Sequence, residues 1–261
     1  DLSIGNLTVI HQGGISPVWP LIAIGALFVL WFFLHIRNRE RAQKEPLVSI
    51  SLFRNRTSNL GLATQNIQWL LVQGASFAIS VFLQEVRKYS AVETGLILSP
   101  AMAGILVSSA LAGRLARRRS QTSLIRGGFV LTWAGMLLML FLGGPTNPIA
   151  SIGPGLWPGL LLIGLAVGFM LPASVNVVQS AFPEAEQGEI SGVSRSVSNL
   201  GSSLGTAIVG SVLVSSTAPD GGPFAAALVT IVIISMIGVG AALLLPAEPP
   251  AASTRGVAAA P

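Results

Sequence analysis

A stripe of hydrogen-bonding side chains follows one face of an apolar block at residues 59–83. At a helical advance of roughly 100° per residue, about a third of the circumference holds Gln65, Asn66, Trp69, Gln73, Ser76, Ser80 and Gln84. Phe77 lies at the edge of the stripe, and Gln68 lies apart on its other side. Polar side chains that face lipid are costly, so we interpret the stripe as the wall of a water-accessible cavity. Hydrogen bonding between neighbouring helices is the alternative, and it needs fewer polar groups than this stripe contains.

Two later apolar blocks carry polar faces of the same kind. In the block at 190–215, one face holds Ser191, Arg195, Ser198, Asn199, Ser202 and Thr206. In the block at 156–180, Asn176 and Gln179 follow Pro172 on the same face. A proline inside a helix frees a backbone carbonyl and kinks the helix. Interrupted helices with polar faces suit alternating-access transporters.

These faces supply candidate binding residues for a small molecule. The side chains suited to hydrogen-bond a ligand belong to Gln65, Asn66, Gln73, Ser76, Asn176, Gln179 and Asn199. Trp69 and Phe77 could stack on aromatic groups or cations. Arg195 lies about one turn inside the end of its block, and a long basic side chain there can extend to the membrane surface. We therefore expect Arg195 to reach the cytoplasmic interface, with a binding or gating role as the alternative.

Chemistry other than binding has little support in the residue types. The chain has no cysteine, and its only histidines are His11 and His35, so neither a histidine metal site nor a catalytic triad is expected. No acidic residue lies deep in an apolar block, and an intramembrane proton relay needs a titrating group there. We expect no catalytic residue, no metal and no cofactor, and the chain is not expected to be an enzyme.

The elements that position these side chains are predicted to be membrane-spanning helices. Hydrophobic residues make up 51% of the chain and charged residues 10%, far below the roughly 25% charged residues of soluble domains. Apolar blocks of about 20 residues match the hydrocarbon core of a bilayer. The predicted spans are 18–36, 59–83, 92–112, 124–142, 156–180, 190–215 and 224–245. The sequence therefore predicts an all-α integral membrane bundle of about seven helices.

The basic residues predict the orientation of the spans. Arg87 and Lys88 stand on one side, and the other thirteen of the 15 lysines and arginines stand on the opposite side. Cytoplasmic loops are enriched in lysine and arginine, so we expect the N-terminus outside and the C-terminus in the cytoplasm. The same bias explains the net charge of +5 without a nucleic-acid partner.

Three segments resemble the major facilitator superfamily, and more closely its fourteen-span drug:proton antiporters of the EmrB/QacA type. EPLVSISLFRNRTSNL (45–60) is similar to the segment before the seventh core helix of that family. FLQEVRKYSAVETGLILSPAMAGILVSSALAGRLARR (82–118) is similar to its segment joining the seventh and eighth core helices. PEAEQGEISGVSRSVSNLGSSLGTAIVGSVL (183–213) is similar to the segment leading into its eleventh.

The resemblance implies the C-terminal half of a proton-coupled exporter in the plasma or inner membrane. Its substrate would be a small amphipathic or cationic drug-like molecule, and its partners would be protons, lipid and an N-terminal half absent from this chain. The expected organisation is an outer loop at 1–16, an inserted helix at 17–36, a cytoplasmic linker at 37–58, a six-helix half at 59–245 and a disordered tail at 246–261. The chain begins with Asp1 and no export signal, which agrees with this expectation.

One loop departs from the superfamily pattern. GRLARRRSQT (113–122) stands where the superfamily has a Gly-x-x-x-Asp-Arg gating motif, and Arg117 occupies its acidic position. Arg117 is therefore a candidate gating or interface residue, together with Arg195. The acidic residues that the family ties to proton coupling belong to the absent half.

Two other function classes stay open at this point. Seven spans with an outside N-terminus also fit a membrane receptor. A retinal-type receptor needs a lysine inside a helix, and the only lysines, Lys44 and Lys88, are in predicted loops. A membrane protein without transport activity is the remaining alternative.

Overall fold

The computed structural model describes residues 3–4, 7–8, 18–41, 50–116, 118–142, 152–215 and 222–246. Within this part of the chain, seven helices are long and apolar enough to cross a membrane. They are α1 (Val18–Arg41), α2 (Arg56–Val81), α3 (Ala91–Ala116), α4 (Gln121–Leu142), α5 (Ile152–Gln179), α6 (Gln187–Ser215) and α7 (Gly222–Leu243). The predicted fold class and number of spans are confirmed.

The chain divides into two units, Asp1–Leu52 and Phe53–Pro261. The first unit contains α1 and a short antiparallel pair of strands, β1 (Ser3–Ile4) and β2 (Leu7–Thr8). The sequence predicted only a loop there. The second unit contains the other six helices, and the organisation into an inserted helix and a six-helix half stays a prediction.

The ends of the predicted segments differ from the observed elements. Helix α1 continues to Arg41, so the first residues of the expected linker are helical. The linker also contains a 3-10 turn at Ile50–Arg54, whereas residues 42–49 lie outside the described part of the chain. The expected tail also lies outside it, beyond Pro246.

Side-chain caps fix where three of the helices begin. Asn55 Oδ1 accepts a hydrogen bond from Ser58 N, 3.2 Å away, at the start of α2. Ser90 and Glu93 form a reciprocal capping box at the start of α3, in which Ser90 N donates to Glu93 Oε2 over 2.8 Å. Ser120 Oγ accepts from Ser123 N at the start of α4. These contacts satisfy backbone donors that have no partner inside the helix.

Helix α2 ends in a wider turn. Residues Phe82–Val86 form a π-helical segment, after which Lys88 adopts a φ of 58°. Tyr89 N then donates to the Leu83 carbonyl over 2.9 Å. A left-handed residue at the end of a helix is usually glycine, since a Cβ is unfavourable in that conformation.

We expect Lys88→Gly to raise the free energy of unfolding by about 0.5–1 kcal/mol, because glycine relieves the backbone strain at this position. Thermal unfolding of the purified chain in detergent measures the change. Lys88→Ala is the control, because it removes the same exposed side chain and keeps a Cβ. Equal stabilisation by alanine and glycine would assign the effect to the lysine side chain and contradict the backbone explanation.

Close backbone contacts hold the six helices of the second unit together. Helix α2 packs along α6, and α5 packs along both α3 and α4, while α7 contacts α2, α4 and α6. A Cβ on Gly205 of α6 would meet the Leu70 carbonyl oxygen of α2, and a Cβ on Gly164 of α5 would meet the Ala101 carbonyl oxygen of α3. Small residues allow this approach in membrane bundles. In this bundle, α2, α5 and α6 surround one cleft.

The apolar core of this unit is buried mainly between α2, α4, α5 and α7. Phe82, Phe129, Met136 and Phe224 are among its fully buried side chains. The rings of Phe82 and Phe224 stack with centroids 3.9 Å apart. This packing keeps the cleft at one side of the core.

Candidate functional site

A cleft of about 570 Å³ lies between α2, α5 and α6. Helix α2 contributes Gln65 and Trp69, and the C-terminal half of α5 contributes Pro172, Asn176 and Gln179. All five belong to the polar faces identified in the sequence. The structure therefore brings two of those faces together at the end of the bundle where α5 ends and α6 begins.

The first three turns of α6 form the opposite wall. Ser191, Ser194, Arg195 and Ser198 line it. The three serines lie on one helix face at spacings of three and four residues. Most of the polar lining thus consists of amides and hydroxyls, which both donate and accept hydrogen bonds.

Gln65 joins α2 to α6 through a closed set of hydrogen bonds. Ser194 Oγ donates to Gln65 Oε1 over 2.9 Å, and Gln65 Nε2 donates to Ser198 Oγ over 3.0 Å. Ser198 Oγ in turn donates to the Ser194 carbonyl over 2.9 Å. The side chain of Gln65 is only 3% exposed, so its orientation is fixed from both ends. Buried networks of this kind rigidify their surroundings when every member is satisfied.

A further hydrogen bond joins α5 to α6 beside the cleft. Gln179 Nε2 of α5 donates to Ser191 Oγ of α6 over 2.8 Å. Asn176 and Arg195, by contrast, are exposed. Within the described part of the chain, no side-chain hydrogen bond or salt bridge is recorded for either residue. Gln65 and Gln179 therefore shape the cleft, whereas Asn176 and Arg195 are available to a ligand.

The other sequence-predicted residues lie outside the lining of this cleft. Asn66 Nδ2 donates to the Val197 carbonyl over 2.9 Å, which is a helix-to-helix contact. Gln73, Ser76 and Asn199 are exposed. Phe77 is half-buried and packs against the core.

Two further placements concern the candidate gating residues. Arg195 lines the cleft, a position that suits the binding alternative, and its reach to the cytoplasmic interface stays a prediction. Arg117 lies outside the described residues, so its gating role stays a prediction.

Sequence reasoning missed Ser194 and the pair Gln68–Ser174. Ser194 lies three residues after Ser191 and four before Ser198, so helical spacing could have placed it on the same face. Ser174 Oγ donates to Gln68 Oε1 over 3.1 Å and joins α5 to α2. Gln68 lies apart from the predicted stripe. In the structure it makes a hydrogen bond between helices, which was the alternative to a cavity wall for these polar side chains.

The arrangement can bind a ligand through hydrogen bonds and apolar contacts. Trp69 offers an aromatic face, and Leu171, Pro172 and Val175 offer hydrocarbon surface. A mostly apolar cleft with a few placed polar groups is the usual form of a small-molecule site. Among the described residues that line the cleft, none carries a carboxylate or an imidazole that could act as an acid or base near neutral pH.

Comparison with known proteins finds a family match and several relatives. The family model described as Major Facilitator Superfamily matches residues 4–206. The chain is 29% identical over 191 residues to the multidrug resistance protein Stp of Mycobacterium tuberculosis, covering 73% of this chain and 33% of that protein.

Two other relatives have similar coverage. The probable actinorhodin transporter of Streptomyces coelicolor is 27% identical over 75% of this chain and 34% of its own length. Multidrug resistance protein 3 of Bacillus subtilis is 30% identical over 78% of this chain and 39% of its own length. The chain thus spans little more than a third of the length of these curated relatives.

Proposed function

The chain belongs to the Major Facilitator Superfamily, and from this premise we propose that it forms the C-terminal half of a secondary active exporter of small drug-like molecules. The observation that carries the proposal is the cleft in which polar groups from α2, α5 and α6 converge beside Trp69. The relatives are named a multidrug resistance protein and a probable actinorhodin transporter, which supports the substrate class. The receptor alternative is set aside because the family match spans most of the chain.

The exposed polar side chains support a larger cavity. Gln73, Ser76 and Asn199 face neither the core nor the cleft, and lipid would be a costly environment for them. In the proposed transporter they face an N-terminal half across a central water-accessible passage. Alternating access would then expose the passage to each side of the membrane in turn.

Orientation and coupling complete the proposal. With the arginine-rich ends in the cytoplasm, the cleft opens on the cytoplasmic side, where an exporter takes up its substrate. Inward proton movement would drive export. Because no carboxylate is found among the described lining residues of the cleft, the proton-carrying groups would belong to the N-terminal half.

The test is efflux by the complete transporter in cells that lack other exporters. We expect Gln65→Leu to lower efflux of at least one drug about tenfold or more, because it breaks the network that fixes the cleft. Asn176→Leu should lower efflux severalfold and leave folding intact, since this exposed side chain makes no recorded hydrogen bond within the described residues.

Gln121→Leu is the matched control, because Gln121 lies at the start of α4 and does not line the cleft. Membrane insertion of each variant is measured by surface labelling. The assignment of the cleft would be refuted if Gln65→Leu and Asn176→Leu both insert normally and both export a chemically varied panel of drugs at the wild-type rate.

A further inference from the structure

Among the described residues that line the cleft between α2, α5 and α6, Arg195 is the only formally charged one. It stands eight residues after Gln187, the first residue of α6, and so about 12 Å along the helix axis. Helical side chains point back toward the N-terminus of their helix. Arg195 thus lies on the wall of the cleft that the first turns of α6 form.

The guanidinium has no recorded partner in the part of the chain that the structure describes. The one salt bridge among the described residues joins Lys88 to Glu85, at the other end of the bundle. The glutamates nearest to Arg195 in sequence are Glu184, Glu186 and Glu189, and none of them lines the cleft. A cation inside a membrane protein normally pairs with an anion or reaches water. The positive charge of Arg195 is therefore available to whatever enters the cleft.

We propose that Arg195 binds an acidic oxygen, such as a carboxylate or a phenolate, on an aromatic amphipathic substrate. The inference rests on the proposed export function and names the substrate class of the same cleft. The planar guanidinium can donate two parallel hydrogen bonds to such a group. Asn176 donates or accepts a further hydrogen bond, and Trp69 packs against the aromatic ring.

The charge of the cleft also disfavours the cationic substrates that the family resemblance implied. A cation near Arg195 would be repelled, and no carboxylate in the described part of the lining compensates for that repulsion. Leu171, Pro172 and Val175 suit the uncharged part of an amphipathic molecule. The cleft therefore selects acidic or neutral aromatic molecules over basic ones.

The experiment compares three probes that share one ring system: 1-naphthylacetate, 1-naphthylacetamide and 1-naphthylmethylamine. Their binding to the purified 261-residue chain in phosphatidylcholine nanodiscs is measured by calorimetry, with empty nanodiscs as the reference for partitioning into lipid. We expect naphthylacetate to bind about tenfold more tightly than naphthylacetamide, as a charge-assisted hydrogen bond predicts. Naphthylmethylamine should bind the weakest.

Three variants assign the preference to Arg195. Arg195→Gln should remove the tenfold difference between the acid and the amide, whereas Arg195→Lys should keep part of it because the charge remains. Arg114→Gln is the matched control, since it removes an exposed arginine of α3 that lines a different cleft. It should leave the preference unchanged.

Several outcomes would overturn the inference. If Arg114→Gln and Arg195→Gln lose the preference for the acid equally, the preference comes from the general surface charge of the protein and not from the cleft. Loss of the preference when anionic phosphatidylglycerol replaces part of the lipid would mean that Arg195 serves a lipid phosphate instead. The purified chain could also bind the three probes equally, while Asn176→Leu still lowers efflux by the complete transporter. That combination would refute the acidic subsite alone and leave the export function standing.

Discussion

Gly201→Ala should lower the free energy of unfolding by about 2 kcal/mol, because the added methyl group has no space between α6 and α2. A Cβ at Gly201 would meet the backbone carbonyl of Asn66, whose carbonyl carbon lies 3.0 Å from that position. Backbone atoms of a packed helix cannot turn aside as the end of a flexible side chain can. The two helices would therefore have to separate along the contact that also carries Gln65 and Ser198.

Gly192→Ala provides the matched control on the same helix. A Cβ at Gly192 meets nothing within 4 Å, so alanine should stabilise the helix by about 0.5–1 kcal/mol through its higher helix propensity. The same substitution is thus expected to act with opposite signs at two positions of α6. Thermal unfolding in detergent and the monodispersity of the purified chain measure both effects, and a change of the same sign in the two variants would contradict the packing argument.

The number and type of the membrane helices could be predicted because an apolar block long enough to cross a bilayer is a strong signal by itself. The ends were less accurate: α1 continues to Arg41 and α5 begins at Ile152. Helical hydrogen bonding continues into the interfacial region, where hydropathy no longer marks it. The pairing of helices could not be predicted. The GxxxG spacing of Gly201 and Gly205 indicates close approach to some helix, but only the structure places Asn66 of α2 against Gly201.

The candidate site was predicted only in part, and the reason lies in the neighbours of each helix. Gln65 and Asn66 belong to the same predicted stripe, but they differ by one residue and therefore by about 100° around the axis. Gln65 consequently lines the cleft, whereas the amide of Asn66 is used by the Val197 carbonyl of α6. A helical-wheel projection of one helix gives no information about where the neighbouring helices lie. The binding roles themselves stay predictions for the efflux and binding measurements.

A second large effect is expected from Arg126, the sixth residue of α4. Its Nε donates to the Ala242 carbonyl over 3.1 Å, and its Nη2 donates to the carbonyls of Leu243 and Leu245 over 3.2 and 2.7 Å. The last carbonyls of a helix lack donors within the helix and carry partial negative charge. Arg126 of α4 therefore caps the C-terminus of α7.

Arg126→Gln should lower the free energy of unfolding by about 2 kcal/mol, because a shorter neutral amide cannot replace the charged donors. Hydrogen exchange should rise in the last turn of α7 and in residues 244–246, while the middle of α7 keeps its protection. Arg119→Gln is the control, since Arg119 is exposed just before the start of α4 and its side chain has no recorded hydrogen bond within the described residues. Unchanged exchange at the end of α7 in Arg126→Gln would mean that the helix end is held without this cap.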